Sequence, residues 1–176
     1  MNGPILSIIT VNFNNNLGLL KTLESVSSQS FSSYEHIIID AGSTDGSRET
    51  IIQYEKENPH LSFWSSESDK GIYDGMNKGI DHAKGQYLYF LNSGDCLSQD
   101  ILAKIPFDGT EYLYGDTILF YKRKTKKRVY PDTLDLIYLS DNSLHHQSCF
   151  IHHTLFKDMT LITKSYLIGH IVSSAL

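Results

Sequence analysis

Apolar residues along this chain gather into short dense runs that end abruptly in polar clusters. Leu6 to Val11 is the first run, closed by Asn12-Phe13-Asn14-Asn15-Asn16, and reads as a buried strand delivering a polar loop at its carboxyl end. Leu19, Leu20, Leu23 and Val26 then recur at helical spacing, and Tyr34 to Ile39 forms the next run, stopping at Asp40. This order makes one β-α-β unit. Beyond Asp40 lies the small polar loop Ala41 to Ser47, whose last serine is placed to cap a helix that runs to Asn58 and is stopped by Pro59. Leu61 to Trp64 gives a third strand. Ile72, Met76, Ile80 and Ala83 line one face of a third helix, which Gly85 is expected to end from the C′ position, and Tyr87 to Leu91 supplies a fourth strand.

Strands alternating with helices at these spacings predict an α/β fold with a mostly parallel sheet covered on both faces. Ligands of such sheets collect at the carboxyl edge of the strands, so the polar loops at Asn12, Asp40, Ser65 and Asn92 are expected along one rim. Past Asp95 the pattern loosens. An apolar run from Tyr112 to Tyr121 is followed by a basic turn, a short helix near Leu134 to Leu139, and a run from Cys149 to Ile151. This second half reads as an appendage to the same domain.

At 176 residues and 40% hydrophobic content, the chain suits one globular domain and excludes a disordered polymer. Fifteen Lys plus Arg against twenty Asp plus Glu give a net charge of −5, which removes the global positive field a nucleic-acid partner requires. Cys96 and Cys149 are too few and too far apart for a disulfide framework, which fits a reducing compartment. The amino terminus shows no charged leader before an apolar stretch, and the most apolar late segment, Tyr166 to Val172, falls short of the ~20 residues a membrane span needs. The expected location is the cytoplasm.

Candidate chemistry sits where strands end. Asp40 closes a buried strand, where its carboxylate either accepts from a sugar hydroxyl or base N–H, or caps the Gly42 to Gly46 turn. That turn either cradles phosphate through backbone N–H groups or is simply glycine-rich; it lacks the Gly-Lys-Ser/Thr ending of a P-loop, the chain has no GxGxxG fingerprint, and Ala41 stands where an EF-hand needs an acid. Asp95, in Asn92-Ser93-Gly94-Asp95, is expected on the same rim beside the loop after Asp40. There it either holds a divalent cation completed by diphosphate oxygens or caps a helix from Leu97 onward. Glu67, Asp69 and Lys70 make a loop of mixed charge, solvated or facing sugar hydroxyls.

Taken together, Ser7-Ile-Ile-Thr-Val-Asn-Phe-Asn14, Ile39-Asp-Ala-Gly-Ser-Thr-Asp-Gly46, Glu67-Ser-Asp-Lys-Gly-Ile-Tyr-Asp-Gly-Met-Asn-Lys-Gly79, Gly85 and Phe90-Leu-Asn-Ser-Gly-Asp95 resemble a family 2 glycosyltransferase of the GT-A fold, in the branch that builds bacterial surface polysaccharides. The resemblance runs from Leu6 to about Phe156. It implies a Rossmann-like three-layer α/β/α sandwich, with residues 1–96 as the nucleotide-sugar half and 97–176 as an incomplete acceptor-side half. By the same resemblance Thr10 and Asn12 line the base pocket, Asp40 binds base or ribose, Asp69 and Asn77 face the donor, and Asn92 and Ser93 join the donor-binding set. Asp95 matches the last acid of the family's metal motif, holding Mn²⁺ or Mg²⁺ against the diphosphate, while Asn92 and Gly94 stand where further acids often occur.

The reaction so implied is an inverting transfer from a nucleotide-diphosphate sugar to a glycan or lipid-linked acceptor, and it needs a carboxylate to take the acceptor's proton. The family places that acid downstream of a segment like His146-Gln147-Ser-Cys-Phe150, yet Met159 to Leu176 contains no Asp or Glu and reads like a truncation or a shifted reading frame. Asp116, Asp141 and Asp158 are the nearest acids in chain order. A catalytically inactive nucleotide-sugar-binding remnant is therefore the alternative expectation. His146 and Gln147 are expected to face the acceptor or the donor phosphates, whereas His145, His146, His152 and His153 lack the partners of a zinc site, and neighbouring histidines on a strand would point opposite ways. Lys122 to Arg128 places six cations in seven residues, either as a solvated turn or as peripheral contact with the inner face of an anionic membrane.

Overall fold

A computed structural model describes residues 3–122, 124–134, 138, 142 and 144–156. The chain runs β1 (Leu6–Asn12), α1 (Asn16–Ser27), β2 (Tyr34–Asp40), α2 (Ser47–Glu57), β3 (Leu61–Ser66), α3 (Ile72–His82) and β4 (Tyr87–Phe90), then β5 (Tyr112–Tyr114), β6 (Thr117–Tyr121), β7 (Lys124–Arg128) and β8 (Cys149–His152). Six strands form one sheet in the order β3-β2-β1-β4-β8-β5, while β6 and β7 pair separately. The first four strands are mutually parallel, and β8 lies antiparallel to both β4 and β5.

Strand alternation sorts the core into two layers. Ile9, Val11, Ile37, Ile39, Leu88 and Phe90 pack with Met76 of α3 on one face. On the other, Ile38 meets Leu19 and Leu23 of α1 and Ile51 and Tyr54 of α2. The sheet covered on both faces that the pattern predicts, and the three-layer α/β/α arrangement that the resemblance implies, are thus present. Every residue of β1 and β2 is buried, as parallel strands covered on both faces require.

Several boundaries differ from the sequence expectation, each for a physical reason. Ser47 is the first residue of α2 and not its cap: Gly46 takes the N-cap position at φ 91°, and the Asp45 carboxylate accepts from the Ser47 hydroxyl at 2.6 Å. Gly85 does not end α3 either, because Ala83 is the C-cap. A Cβ on Gly85 would stand 2.5 Å from the Ser7 backbone nitrogen, so its glycine lets the chain pass tightly against β1 on the way into β4. Leu20 and Ile72 each keep 47% of their surface exposed; the buried turn of α1 uses Thr22 beside Leu19, Leu23 and Val26.

The expected run from Tyr112 to Tyr121 breaks at Gly115 and Asp116, whose groups turn to Ser148 and Tyr130. The basic segment is itself a strand, with Lys124–Arg128 paired against Thr117–Tyr121. No helix starts at Leu97; a single 3-10 turn occurs at Leu102–Lys104. The helix expected near Leu134 to Leu139 falls largely outside the described residues. Among the described residues, no helix is long and apolar enough to cross a membrane.

Candidate active site

From β1 the chain steps outward through β2 to β3, then returns to place β4 on the other side of β1. The crevice where strand order reverses lies between β1 and β4, at their carboxyl ends, and is where open α/β sheets bind ligands. Register puts Asn12 beside Asp40 and Asp40 beside Ser66, so the three polar strand ends share this rim. The loop after β4 is tied to it, since the Ser93 N–H donates to the Val11 carbonyl and Asn15 Nδ2 donates to the Ser93 carbonyl at 2.9 Å. Asp95 therefore shares the edge with Asp40, but the β1 loop lies between them, so the two are not neighbours as expected.

Asp40 organises the rim from beneath. Its carboxylate has no accessible surface. One oxygen accepts from Asn12 Nδ2 at 2.7 Å and from the Ser43 hydroxyl; the other accepts from the Ser43 N–H at 2.9 Å and the Ser66 hydroxyl at 2.6 Å. Burial pushes this carboxyl upward, but the donors from Ser43, Ser66 and Asn12 outweigh it and hold Asp40 below the usual carboxylate range. Of its two readings, the structure displays the turn cap. Ser43 in turn accepts from the Asn14 N–H at 2.8 Å, and Asn14, in the left-handed region at φ 47°, accepts from the Thr44 N–H at 2.9 Å. The loops after β1 and β2 are thereby laced into one unit.

A second knot joins the loop after β4 to the 3-10 turn His146–Ser148. Gln147 Nε2 donates to Asp95 Oδ2 at 3.0 Å, and Asn92 Nδ2 meets His146 Nε2 at 3.1 Å. Burial holds His146 below its ordinary value, partly offset by the nearby Asp95 charge, so its ring is neutral at pH 7. Thr22 supports the loop from inside α1, donating to the Asp95 carbonyl at 2.8 Å and accepting from the Gly94 N–H at 2.9 Å. Asp95 thus caps no helix. Ser43 was noted only as part of the glycine-rich turn; Thr22, Asn15 and Ser66 were not singled out, and of these Thr22 left a signal, as a polar residue inside an apolar helical stripe.

Asp69 reaches the same region. It accepts from the Gly71 N–H at 2.8 Å, and its other oxygen lies 3.2 Å from where a Cβ on Gly75 would stand, beside Val11 and Ile39. Asn77 sits two residues further along α3 and is half-buried. Thr10, expected at the base pocket, is fully buried one layer down, with its hydroxyl 2.9 Å from His36 Nε2. Burial lowers the His36 pKa to about 3, so this ring is neutral.

Asp116 sits at the foot of the β6–β7 hairpin, one residue from Gly115, whose N–H donates to the Ser148 carbonyl at 2.9 Å; it bonds Lys127 at 2.8 Å and lines a cavity of about 290 Å³ with Tyr112, Tyr114 and Tyr130. The Lys127 contact holds its carboxyl below the usual range. Asp141 and Asp158 fall outside the described residues. The two histidine pairs occupy opposite ends of β8, and the rings of His152 and His153 lie 4.6 Å apart, not on opposite faces. Cys96 is exposed next to Asp95, while Cys149 is buried, its thiol pushed up to about 11 by desolvation.

Among the described residues no three metal-ligating side chains converge. The donor set near Asp95 still suits a hard cation shared with a ligand: one carboxylate lies three residues from Asn92, whose buried Oδ1 has no hydrogen-bond partner. A Mg²⁺ or Mn²⁺ ion there would be held by Asp95 and Asn92 and would need phosphate or water to complete its ligands.

Comparison with known proteins places this geometry in a wider group. An uncharacterized glycosyltransferase of Mycobacterium tuberculosis is 42% identical over 103 residues, covering 57% of this chain and 38% of the relative. The putative teichuronic acid biosynthesis glycosyltransferase TuaG of Bacillus subtilis is 37% identical over 101 residues, covering 57% and 40%. A PGL/p-HBAD biosynthesis glycosyltransferase of Mycobacterium bovis is 30% identical over 163 residues, covering 89% and 62%. The chain thus spans less than two thirds of the length of these relatives. Among solved structures, the mannosyltransferase PcManGT of Pyrobaculum calidifontis, in complex with GDP-Man and Mn²⁺, superposes with a TM-score of 0.70 at 15% identity, over 98% of this chain and 52% of its own. S. aureus TarS in complex with UDP gives 0.68 at 18% identity, over 87% and 48%. Both likenesses establish the GT-A fold. The sequence model for glycosyl transferase family 2 matches residues 7–158, most of the strands, loops and knots described above, and the chain belongs to that family.

Proposed function

We propose that the protein transfers a sugar, most simply a hexose, from a nucleotide-diphosphate donor to a glycan or lipid-linked acceptor, with inversion at the anomeric carbon. One observation carries this reading: the turn His146–Ser148, leading into antiparallel β8, meets the loops after β1, β2 and β4 at the carboxyl edge of the parallel strands, where strand order reverses. The resemblance to relatives of surface-polysaccharide biosynthesis, and to structures holding UDP or GDP-Man, supports it.

In this reading residues 1–96 form the donor side, and the later residues that pack against it form the acceptor side. Asn12, Asp40 and Ser43 shape the floor under the nucleotide, with Thr10 in the wall beneath. Asp69, Asn77, Asn92 and Ser93 surround the sugar diphosphate. Asp95 and the Asn92 Oδ1 hold the divalent cation, which when bound neutralises charge on the departing diphosphate. Gln147 fixes the Asp95 carboxylate, and neutral His146 fixes Asn92. The reaction takes place in the cytoplasm, at the inner face of the membrane.

A second reading, donor binding without transfer, draws support from Asp116. A carboxylate engaged by Lys127 and held strongly ionised is a weak proton acceptor, so this acid is poorly matched to general-base work. Calorimetry with UDP- and GDP-sugars in the presence of Mn²⁺, followed by product analysis, separates the readings. Donor binding with transfer or slow donor hydrolysis supports the enzyme; tight binding with no turnover supports the second. Asp95→Asn is expected to weaken donor binding in Mn²⁺ by about tenfold or more with the fold retained, as loss of one charged ligand implies. Unchanged affinity would remove the cation from the scheme.

A further inference from the structure

The β6–β7 hairpin stands apart from the six-stranded sheet as its own two-stranded ribbon. Directly opposed residues share a face, so Ile118 and Phe120 lie together with Lys127 and Thr125, while Leu119 and Tyr121 lie with Lys126 and Lys124. Phe120 is 81% exposed, and Ile118, Tyr121 and Val129 are exposed as well. Lys122, Lys124, Lys126 and Lys127 are all exposed, though Lys127 is engaged by Asp116. Large apolar side chains scattered singly on a surface need no explanation, but a cluster on one lysine-rich ribbon does.

We propose that this hairpin docks the protein on an anionic bilayer by its edge and turn, with Phe120 and Ile118 entering the acyl boundary from one face while Lys122 at the turn and the long side chains of Lys124 and Lys126 on the other face reach the headgroups. The proposal deepens the peripheral-contact reading and rests on it, but it is independent of whether sugar is transferred. Charge selects the occupant. A second copy of the chain, docked hairpin to hairpin, would bring lysine rows together, and like charges directly opposed are destabilising. A nucleic acid would supply phosphates, yet it offers nothing for the aliphatic Ile118 and Val129, which cannot stack as rings do. Acyl chains accept aliphatic and aromatic side chains alike, and each cation near an anionic leaflet strengthens partition by about fivefold.

The test is co-sedimentation with vesicles of equimolar phosphatidylglycerol and phosphatidylcholine against phosphatidylcholine alone. The parent chain is expected to bind the first and not the second. Neutralising Lys122, Lys124 and Lys126 as Gln should reduce that binding by roughly a hundredfold, from the per-cation effect, and reversing them to Glu should reduce it further. Phe120→Ser combined with Ile118→Ser should lose at least about tenfold with the far-UV circular dichroism unchanged. In a Trp64→Phe background, Phe120→Trp should be quenched by brominated acyl chains. If charge reversal abolishes binding but the serine variant and the quenching show no effect, insertion is overturned while electrostatic contact stands. If no vesicle binds, the peripheral reading fails too. Concentration-dependent dimerisation abolished by Phe120→Ser would give the face to a second copy and overturn the proposal.

Discussion

Asp40 shows how a charge survives without water: four donors from Asn12, Ser43 and Ser66 replace the hydration shell of a fully buried carboxylate. Asp40→Asn replaces an acceptor with an amide that meets these donors head-on. The expected cost is about 2–3 kcal/mol in urea unfolding at pH 7, with weaker binding of free nucleotide because the floor loosens. Since the native pKa is depressed, this stabilisation is present above the unfolded value near 4 and lost as pH falls through the native one. The gap between parent and variant should therefore close in acid; a gap that stays constant down to pH 2 contradicts the assignment. His36 runs in the same pH direction from the opposite charge. Its ring is neutral when buried, so stability is full above pH 6.5 and falls by roughly 1.4 kcal/mol per unit below it, until about pH 3. His36→Gln should remove that slope between pH 6.5 and 4.5, whatever its own stability. At this scale Asp40 and Asp95 were legible because a polar residue ending an apolar run must sit at a sheet edge. Ser43, in the glycine-rich turn, and Gln147, expected on the acceptor or phosphate side, were singled out by position, but their partners were not legible, because those lie 29 and 52 residues away in sequence.

Elements were legible in proportion to their burial. The runs that gave β1, β2 and β4 are apolar because parallel strands are covered on both faces, and their register then fixes the rim without further information. The helix ends were less legible, since Gly46 takes the N-cap expected of Ser47, with Asp45 accepting from Ser47, and Gly85 serves packing where capping was expected. That packing is testable. Gly85→Ala would press a methyl group to 2.5 Å from the Ser7 nitrogen and 2.7 Å from the Leu6 carbonyl carbon, both backbone atoms of a central strand. A loss of about 3 kcal/mol is expected in thermal or urea unfolding, and a variant as stable as the parent would show that β1 can yield. The strand β7 was hidden because lysine is a poor strand former; its pairing with the more apolar β6 overrides that preference.

For the whole molecule, the decisive feature is β8, which enters the sheet between β4 and β5 and runs against the strands before it. Nothing local in the sequence announces that pairing, since Tyr87 meets His152 across a long stretch of chain. The first half is therefore not self-sufficient: a fragment ending at residue 110 leaves β4, fully buried here, as an open apolar edge. Such a fragment should self-associate in sedimentation velocity, and a folded monomer would argue that the donor side stands alone. The same sheet treats the two thiols in opposite ways, sealing Cys149 within β8 while leaving Cys96 at the surface beside Asp95. A maleimide fluorophore would thus attach selectively one residue from Asp95 in the unmutated chain, giving an optical reporter of the proposed nucleotide site that requires no engineered cysteine.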